Sequence, residues 1–146
     1  MEQFTYITLN ELDVEVNKAR EDGKYCLIFD KHGSASVFFS YKAVMKDFHK
    51  DVVACSIGKK LRNQALDILR RGLVYSMRVG DTLVINIDKT MPNFTSDYNH
   101  KTEFPTERIF DFEEWRFYNN YMSVVKEDEN VDLLGNKKCF VMNSNF

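Results

Sequence analysis

Residues 25–42, YCLIFDKHGSASVFFSYK, contain the residue types that could hold a phosphate group. A short apolar run ends at Asp30, and a loop of small residues that includes Gly33 follows it. A working P-loop needs Gly-x-x-x-x-Gly-Lys-Ser/Thr, because its backbone N–H groups surround the phosphates and its lysine reaches the outer ones. The second glycine and that lysine are both missing here. The sequence therefore predicts that this chain does not hydrolyse ATP.

Nucleotide binding without hydrolysis is the alternative function of the same loop. The run from Thr82 to Asp88 is a second short apolar strand that ends in an acid, as a Walker B strand does, although many parallel strands share this feature. The candidate nucleotide-binding residues are the acids after the two strands and the small residues of the loop: Asp30, Gly33, Ser34, Ser36 and Asp88.

Other catalytic chemistry has little support in the sequence. Cys26, Cys55 and Cys139 are far apart and lie in or beside apolar runs, which is typical of buried, reduced thiols. The three histidines show no metal-ligand spacing. Serines 34 and 36 lie near His32, but a catalytic triad would also need a partner acid and an oxyanion hole. We therefore expect no enzyme activity, no metal and no cofactor.

Size and composition are those of one folded domain. The chain has 146 residues, of which 44% are apolar, and its net charge of −2 gives no reason to expect attraction to nucleic acid or to a membrane. No apolar run approaches the roughly 18 residues that are needed to span a bilayer. The N-terminus lacks the basic start and apolar core of a signal peptide. These features predict a cytoplasmic protein.

The predicted elements alternate helices with short apolar strands. A continuous apolar run such as residues 26–29 suits a strand that is covered on both faces, as in a parallel sheet. The elements are, in order, a helix within residues 1–23, a strand at 24–30, a helix near 36–49, a short strand or turn near 52–55, a helix at 59–79, a strand at 82–88, a long polar loop at 89–107, a helix from 111 to about 125, and a strand at 138–142. This order predicts a single α/β domain over residues 1–146, with a three-layer, P-loop-like core at 24–142 built on a short, largely parallel sheet.

Local signals mark the ends of the predicted helices. Thr8 with Glu11, or Asn10 with Asp13, could form a capping pair at the start of the first helix, and Gly23 ends it. Gly80 is the expected end of the helix at 59–79. Asp111 with Glu114 is expected to cap the helix that follows the long loop.

Three stretches together resemble a known kind of domain: LIFDKHGSASVFFSYK, LDILRRGLVYSMRVGDTLVINID and FEEWRFYNNYMSVVK. They are similar to the degenerate P-loop-like domain, the first half of an AAA-type fold, that is found beside ankyrin repeats and IQ motifs in some ciliary and flagellar proteins. The resemblance covers residues 24 to about 142 and implies a structural, axonemal role rather than catalysis. It also implies that Asn143 lies near the position of an AAA sensor asparagine. The chain lacks the repeats and the IQ motif, so the resemblance does not extend to calmodulin binding.

Two surfaces are candidates for contact with a partner. On the helix at 59–79, five basic residues are predicted to lie opposite the apolar stripe, either as an ordinary solvated face or as a strip that binds an acidic protein such as tubulin. The helix after Asp111 carries apolar and aromatic residues around half its circumference, so either the loop at 89–107 or another chain must cover it. The candidate contact residues are Lys59, Lys60, Arg70, Arg71, Arg78, Trp115, Tyr118 and Tyr121.

These observations favour a non-enzymatic structural or adaptor subunit of a larger protein assembly. The resemblance implies a place in the cilium or axoneme, in contact with microtubules. Nucleotide binding through the degenerate loop is the first alternative. An RNA-associated subunit is the second, although no RNP-type aromatic motif or KH loop accompanies the basic strip.

Overall fold

The structure, a computed structural model, describes residues 4–130 and is a mixture of helices with one small sheet. The helices are α1 (Leu12–Glu21), α2 (Ser34–Lys42), α3 (Phe48–Ser56), α4 (Arg62–Val79), α5 (Thr106–Ile109), α6 (Phe112–Trp115) and α7 (Tyr118–Tyr121). The strands are β1 (Val44–Lys46) and β2 (Leu83–Ile85), and 3-10 turns lie at Leu9–Glu11, Met122–Val124 and Glu127–Glu129. This confirms the predicted α/β class.

The two strands form a parallel sheet whose faces are both covered. Val44 pairs with Leu83, and the register runs to Lys46 with Ile85. Leu83 belongs to the main core, which lies between α3, α4 and the C-terminal part of the described chain. Met45 and its neighbour Val84 point to the opposite face and pack against a smaller core formed by α1 and α2. Alternating side chains therefore divide the apolar residues of the sheet between two cores.

Helix α4 confirms the prediction made for residues 59–79. Leu69, Leu73 and Met77 are fully buried on its apolar side, as their helical spacing predicts. The helix begins at Arg62, slightly later than predicted, and its last residue is Val79, with Gly80 as the C-cap. Because Gly80 has a φ of 75°, a conformation that favours glycine, the chain can leave the helix there and enter β2.

Helix α1 is also confirmed, together with one of its two predicted capping pairs. The Glu11 carboxylate accepts hydrogen bonds from the Thr8 backbone N–H at 3.3 Å and from its hydroxyl at 2.9 Å. At the other end, the Arg20 side chain donates to the Thr82 hydroxyl at 2.7 Å. This bond ties the end of α1 to the residue before β2.

The predicted strand at 24–30 is wrong, because this segment lies outside the sheet. Leu27 and Phe29 are 75% and 72% exposed, whereas a strand of a covered sheet would bury them. Residues 44–46 occupy the place beside β2 instead, since Val44 and Met45 each have an apolar core to pack against. The predicted helix at 36–49 is interrupted after Lys42, because residues 44–46 form β1. The proposed strand or turn at 52–55 lies within α3.

The predicted helix from 111 to 125 is divided into α6, α7 and a 3-10 turn. Its start is confirmed, because the Asp111 carboxylate accepts the backbone N–H groups of Glu113 and Glu114. The break comes at Phe117, whose backbone is extended, with φ −73° and ψ 134°. The Asn120 side-chain amide donates to the Glu114 carbonyl across this break, at 2.5 Å.

The long loop at 89–107 covers this C-terminal part. Tyr98 and Phe104 from the loop are buried in the main core, where Trp115 and Val124 are buried too. The sequence predicts that either this loop or another chain covers the aromatic segment, and in the structure the loop packs with it in the main core. The loop itself ends slightly earlier than predicted, because α5 begins at Thr106. The predicted strand at 138–142 and Asn143 lie outside the described residues.

Candidate functional site

The loop after Asp30 is organised around that carboxylate rather than around an open anion site. Asp30 accepts the backbone N–H of His32 at 3.2 Å through one oxygen and that of Ala35 at 2.7 Å through the other. Gly33, with a φ of 76°, makes the turn that allows this. Backbone N–H groups at a helix start are the donors that a phosphate would need. Here the chain's own carboxylate takes one of them.

The five candidate nucleotide-binding residues fall into two groups. Asp30, Gly33, Ser34 and Ser36 lie together at the start of α2. Asp88 belongs to a different element, three residues after the end of β2, where its N–H donates to the Asn86 side chain at 3.1 Å. The strand that should lead into the loop is not part of the sheet. The loop therefore does not follow a sheet strand as a P-loop does.

Arg70 corrects the predicted basic strip, because it is buried rather than solvated. Its side chain is 2% exposed and contacts three carboxylates, those of Asp67 at 2.9 Å, Glu103 at 3.3 Å and Glu129. It also donates to the Val124 carbonyl at 3.0 Å. Glu103 and Glu129 come from distant parts of the chain, so this guanidinium joins the long loop and the C-terminal turn to α4.

These contacts change the acidity of Asp67. Burial acts to raise the pKa of its carboxyl, but the hydrogen bond and charge of Arg70, together with the charges of Arg71 and Lys126, outweigh burial, so the pKa is lowered. Lys126 lies 3.7 Å from Asp67 and 3.4 Å from Glu103. We define Arg70, Asp67, Glu103, Glu129 and Lys126 as the ion cluster, whose geometry indicates a structural role.

The other members of the predicted strip differ in exposure. Lys60 forms an ion pair with Asp51, and both side chains are largely buried. Arg71 is exposed and contacts Asp67 at 2.8 Å, while Arg78 lies 5.1 Å from the centre of the Tyr75 ring. Lys59 is exposed. The exposed basic residues of the prediction are thus Lys59, Arg71 and Arg78.

The aromatic contact residues are corrected in a similar way. Trp115 is fully buried in the main core, which removes it from any surface contact. Tyr118 is 65% exposed, and its ring lies 5.6 Å from that of the half-buried Tyr121. Only Tyr118 and the neighbouring Phe117 present large aromatic surfaces to solvent in this segment.

A small cleft of about 240 Å³ lies between α3, the start of α4 and the long loop. Cys55 and Tyr98 line it, and burial followed by a hydrogen bond with Cys55 raises the pKa of the Tyr98 phenol. Arg62 and Asp97 form an ion pair of 3.4 Å at its wall. Ligand pockets usually have about 300–1,000 Å³. The cleft is smaller than that, and its charged groups already pair with each other.

The surface that sequence reasoning missed is the segment Lys24–Asp30. Cys26 packs inward against the smaller core, while Leu27 and Phe29 lie in solvent. The Phe4 ring, 58% exposed, makes an edge contact with Phe29 at 5.5 Å. The apolar run at residues 26–29 is the sequence signal for this surface. A run of this kind indicates burial, but it does not show which part of the chain or which partner covers it. Within residues 4–130 nothing covers this apolar surface.

Helix α2 continues this exposed apolar character. Phe39 is buried on its inner face, yet Val37 and Tyr41, one turn apart, are 61% and 86% exposed. A surface helix normally has one apolar face and one polar face. A helix that is apolar on both sides indicates a second surface to cover it.

The two described cysteines are free and half-buried. They pack against opposite faces of the sheet, Cys26 in the smaller core and Cys55 in the main core. Cys139 lies outside the described residues. In the part of the chain that the structure covers, no group of three or more His, Cys, Asp or Glu side chains could hold a metal ion.

Comparison with protein-family models, with curated proteins and with solved structures gave no match. The resemblance to the degenerate P-loop-like domain therefore stays a prediction from the residues. No helix within residues 4–130 is both long and apolar enough to cross a membrane.

Proposed function

We propose that this chain is a non-enzymatic structural or adaptor subunit that binds other protein chains. The observation that carries the proposal is the exposure of large apolar side chains in two places, Leu27 and Phe29 with Phe4 beside them, and Val37 with Tyr41 on the outer face of α2. Large exposed apolar patches on small domains typically mark sites of protein contact. The exposed rings of Phe117 and Tyr118 provide a second, smaller surface of the same kind.

The place of the protein in the cell is the finer part of the proposal. The resemblance to degenerate P-loop-like domains supports a role in the cilium or axoneme, with a P-loop-like core that has lost its phosphate site. Contact with tubulin would use the exposed basic residues Arg71 and Arg78 on α4, together with Lys59, which precedes the helix. Since Arg70 and Lys60 are engaged inside the domain, this strip is narrower than the sequence predicts.

Affinity purification of the tagged chain from its own cells tests the proposal. Three forms are compared: the native sequence, Tyr41→Asp on the exposed face of α2, and the control Met91→Asp. Met91 is 90% exposed and lies in the long loop, so both substitutions place a charge on the surface without disturbing a core. Circular dichroism and thermal melting should be the same for all three forms.

We expect partner proteins that co-purify in stoichiometric amounts with the native and Met91→Asp forms and are lost with Tyr41→Asp. Tubulin or axonemal subunits among them would support the ciliary part. A set of partners that is unchanged by Tyr41→Asp would contradict binding through α2. Binding that requires added Mg-ATP would favour the nucleotide alternative instead.

A further inference from the structure

The turn between α3 and α4, residues 57–61, presents apolar side chains to solvent. Ile57 is 60% exposed and Leu61 is 70% exposed, and Val53, one helical turn before Ile57, is exposed as well. The opposite side of α3 is the one that packs in the main core, through Phe48. The exposed apolar side chains therefore form an outer surface, of the kind that marks contact with another protein.

The backbone of this α3–α4 turn is held by its own hydrogen bonds. Gly58 has a φ of 75°, a conformation that favours glycine just after a helix. The backbone N–H groups of Lys59 and Lys60 both donate to the Ala54 carbonyl, at 2.9 Å and 3.2 Å. Side chains on a fixed backbone lose less conformational freedom on binding, so the turn is well suited to contact a partner.

Positive charge surrounds the apolar side chains of the turn. Lys50 lies on the same side of α3 as Val53, three residues away, and it is exposed together with Lys59 and Arg62. Lys50 and Arg62 each contact one aspartate, at 3.4 Å in both cases, but ion pairs as exposed as these are weak. The turn therefore fits a surface that combines apolar groups with carboxylates.

The same chain carries such a surface at residues 111–118. The rings of Phe117 and Tyr118 are exposed there. The acidic residues that precede them are all exposed too: Asp111, Glu113 and Glu114. Arg116 is the one basic residue in this stretch, and it contacts Glu113 at 3.2 Å. This acidic aromatic surface complements the α3–α4 turn in charge, and aromatic rings are common anchors of protein interfaces.

The two surfaces lie toward opposite ends of α4. The turn comes directly before this 18-residue helix, which is about 27 Å long. Thr82, two residues beyond the C-cap Gly80, accepts the Arg20 side chain at 2.7 Å. Gly23, which follows α1, lies beside the ring of Phe112 at the start of α6. Surfaces placed in this way can join separate copies of a chain.

We propose that copies of this chain assemble head to tail, with the α3–α4 turn of one copy against the acidic aromatic surface of the next. The inference rests on the proposed function, because it names a second copy as the partner of the exposed rings of Phe117 and Tyr118. Ile57 and Leu61 contact these rings, and the lysines of the turn face the carboxylates. Pairing of two turns would instead bring like charges together, which is unfavourable. Because the two surfaces differ, the assembly either closes into a ring or grows as a chain.

Sedimentation velocity of the full purified chain, over a roughly hundredfold range of concentration, tests for assembly. We expect the average mass to rise above that of the monomer as the concentration increases. Added salt should shift this rise to higher concentration, because it screens exposed charges. A chain that stays monomeric at every concentration would overturn the inference.

Two variants that each change one surface test the pairing. Leu61→Asp and Phe117→Asp both alter an N-cap position, where aspartate is well tolerated. Each variant alone should assemble at least about tenfold more weakly than the native chain, because it places a carboxylate in the apolar contact. An equimolar mixture should form a 1:1 dimer and nothing larger, since one variant keeps its turn and the other keeps its acidic aromatic surface. A mixture that stays monomeric, or a single variant that assembles like the native chain, would overturn the proposed pairing.

Val14→Asp is the control, because Val14 is exposed in the first turn of α1, outside both surfaces, and should assemble like the native chain. A monomeric native chain would contradict self-assembly, while the loss of co-purifying proteins with Tyr41→Asp would still support the proposed function. If the native chain is monomeric and Leu61→Asp also loses co-purifying proteins, the turn binds a different protein, which would likewise overturn the inference.

Discussion

Replacement of Arg70 by methionine tests whether the ion cluster holds the domain together. Methionine keeps most of the length of the arginine side chain but removes its charge and its donors. Asp67, Glu103 and Glu129 would then remain near one another, with Lys126 beside Asp67 and Glu103 and with the exposed Arg71 beside Asp67 to balance them. The Val124 carbonyl would also lose the donor that lies 3.0 Å away.

The expected loss of stability follows from burial. Removing one partner of a buried ion pair costs about 3–5 kcal/mol, because the remaining charges are left uncompensated. The carboxylate side chains are 22–29% exposed, so water can still reach them. We therefore expect a loss near the lower end, about 3 kcal/mol, which would lower the melting temperature by roughly 10 °C.

Arg71→Met is the matched control for this experiment. Arg71 is the next residue on α4 and contacts the same Asp67 at 2.8 Å, but its side chain is 70% exposed. Exposed ion pairs contribute about 0–1 kcal/mol. Urea unfolding, followed by circular dichroism, measures both variants. Losses of equal size would refute the reasoning, because burial is what separates the two arginines.

The dependence on pH gives an independent check of the same cluster. The pKa of Asp67 is lower in the folded chain than its ordinary value, so this carboxylate stabilises the fold above the unfolded pKa, about 3.9. That stability is lost as the pH falls through the folded pKa. In the Arg70→Met variant, the unfolding free energy should therefore fall less than in the native chain as the pH is lowered below about 5. The difference should be roughly the contribution of the Asp67 carboxyl.

Three further predictions concern single residues. Asp30→Ala should destabilise α2 by about 1 kcal/mol through loss of its capping carboxylate, seen as faster hydrogen exchange at Ala35, and unchanged exchange would contradict the capping role. Gly80→Ala should cost about 1 kcal/mol in urea unfolding, because a φ of 75° is unfavourable for alanine, and a neutral result would contradict the end proposed for α4. Burial, with the nearby charge of Asp111, raises the pKa of the Tyr25 phenol in the folded state. The folded state therefore keeps its full stability below the unfolded pKa of about 10 and loses stability as the pH rises further. Tyr25→Phe should remove this loss at alkaline pH, and an identical loss in the variant would refute the reasoning.

Local patterns were sufficient to predict the helices with strong ends. The apolar spacing of α4 and the glycine that follows it determine that helix without help from distant residues. The same holds for the pair of Thr8 with Glu11 and for the cap at Asp111, because each contact joins residues three positions apart or fewer. Such features depend on neighbours in the sequence, which sequence reasoning can examine directly.

Contacts between distant residues explain the predictions that failed. Residues 26–29 are more apolar than residues 44–46, yet the latter form β1, because strand pairing depends on where α2 and α3 place the chain. The sequence predicts a surface position for Arg70, because its helical position lies beside other basic residues and opposite the apolar stripe. Two of the carboxylates that contact Arg70, those of Glu103 and Glu129, are distant from it in the sequence and show no recognisable spacing from it.

The parallel pairing of β1 with β2 has a consequence for the order of folding. Val44 and Leu83 can meet only after the intervening chain has folded back on itself, so the entropy of closing this loop is lost before the sheet contacts form. Helices α3 and α4 lie in that interval and shorten it as they form and dock. The sheet should therefore appear late in refolding, after α4, and substitutions in α4 should slow refolding more than substitutions in the strands.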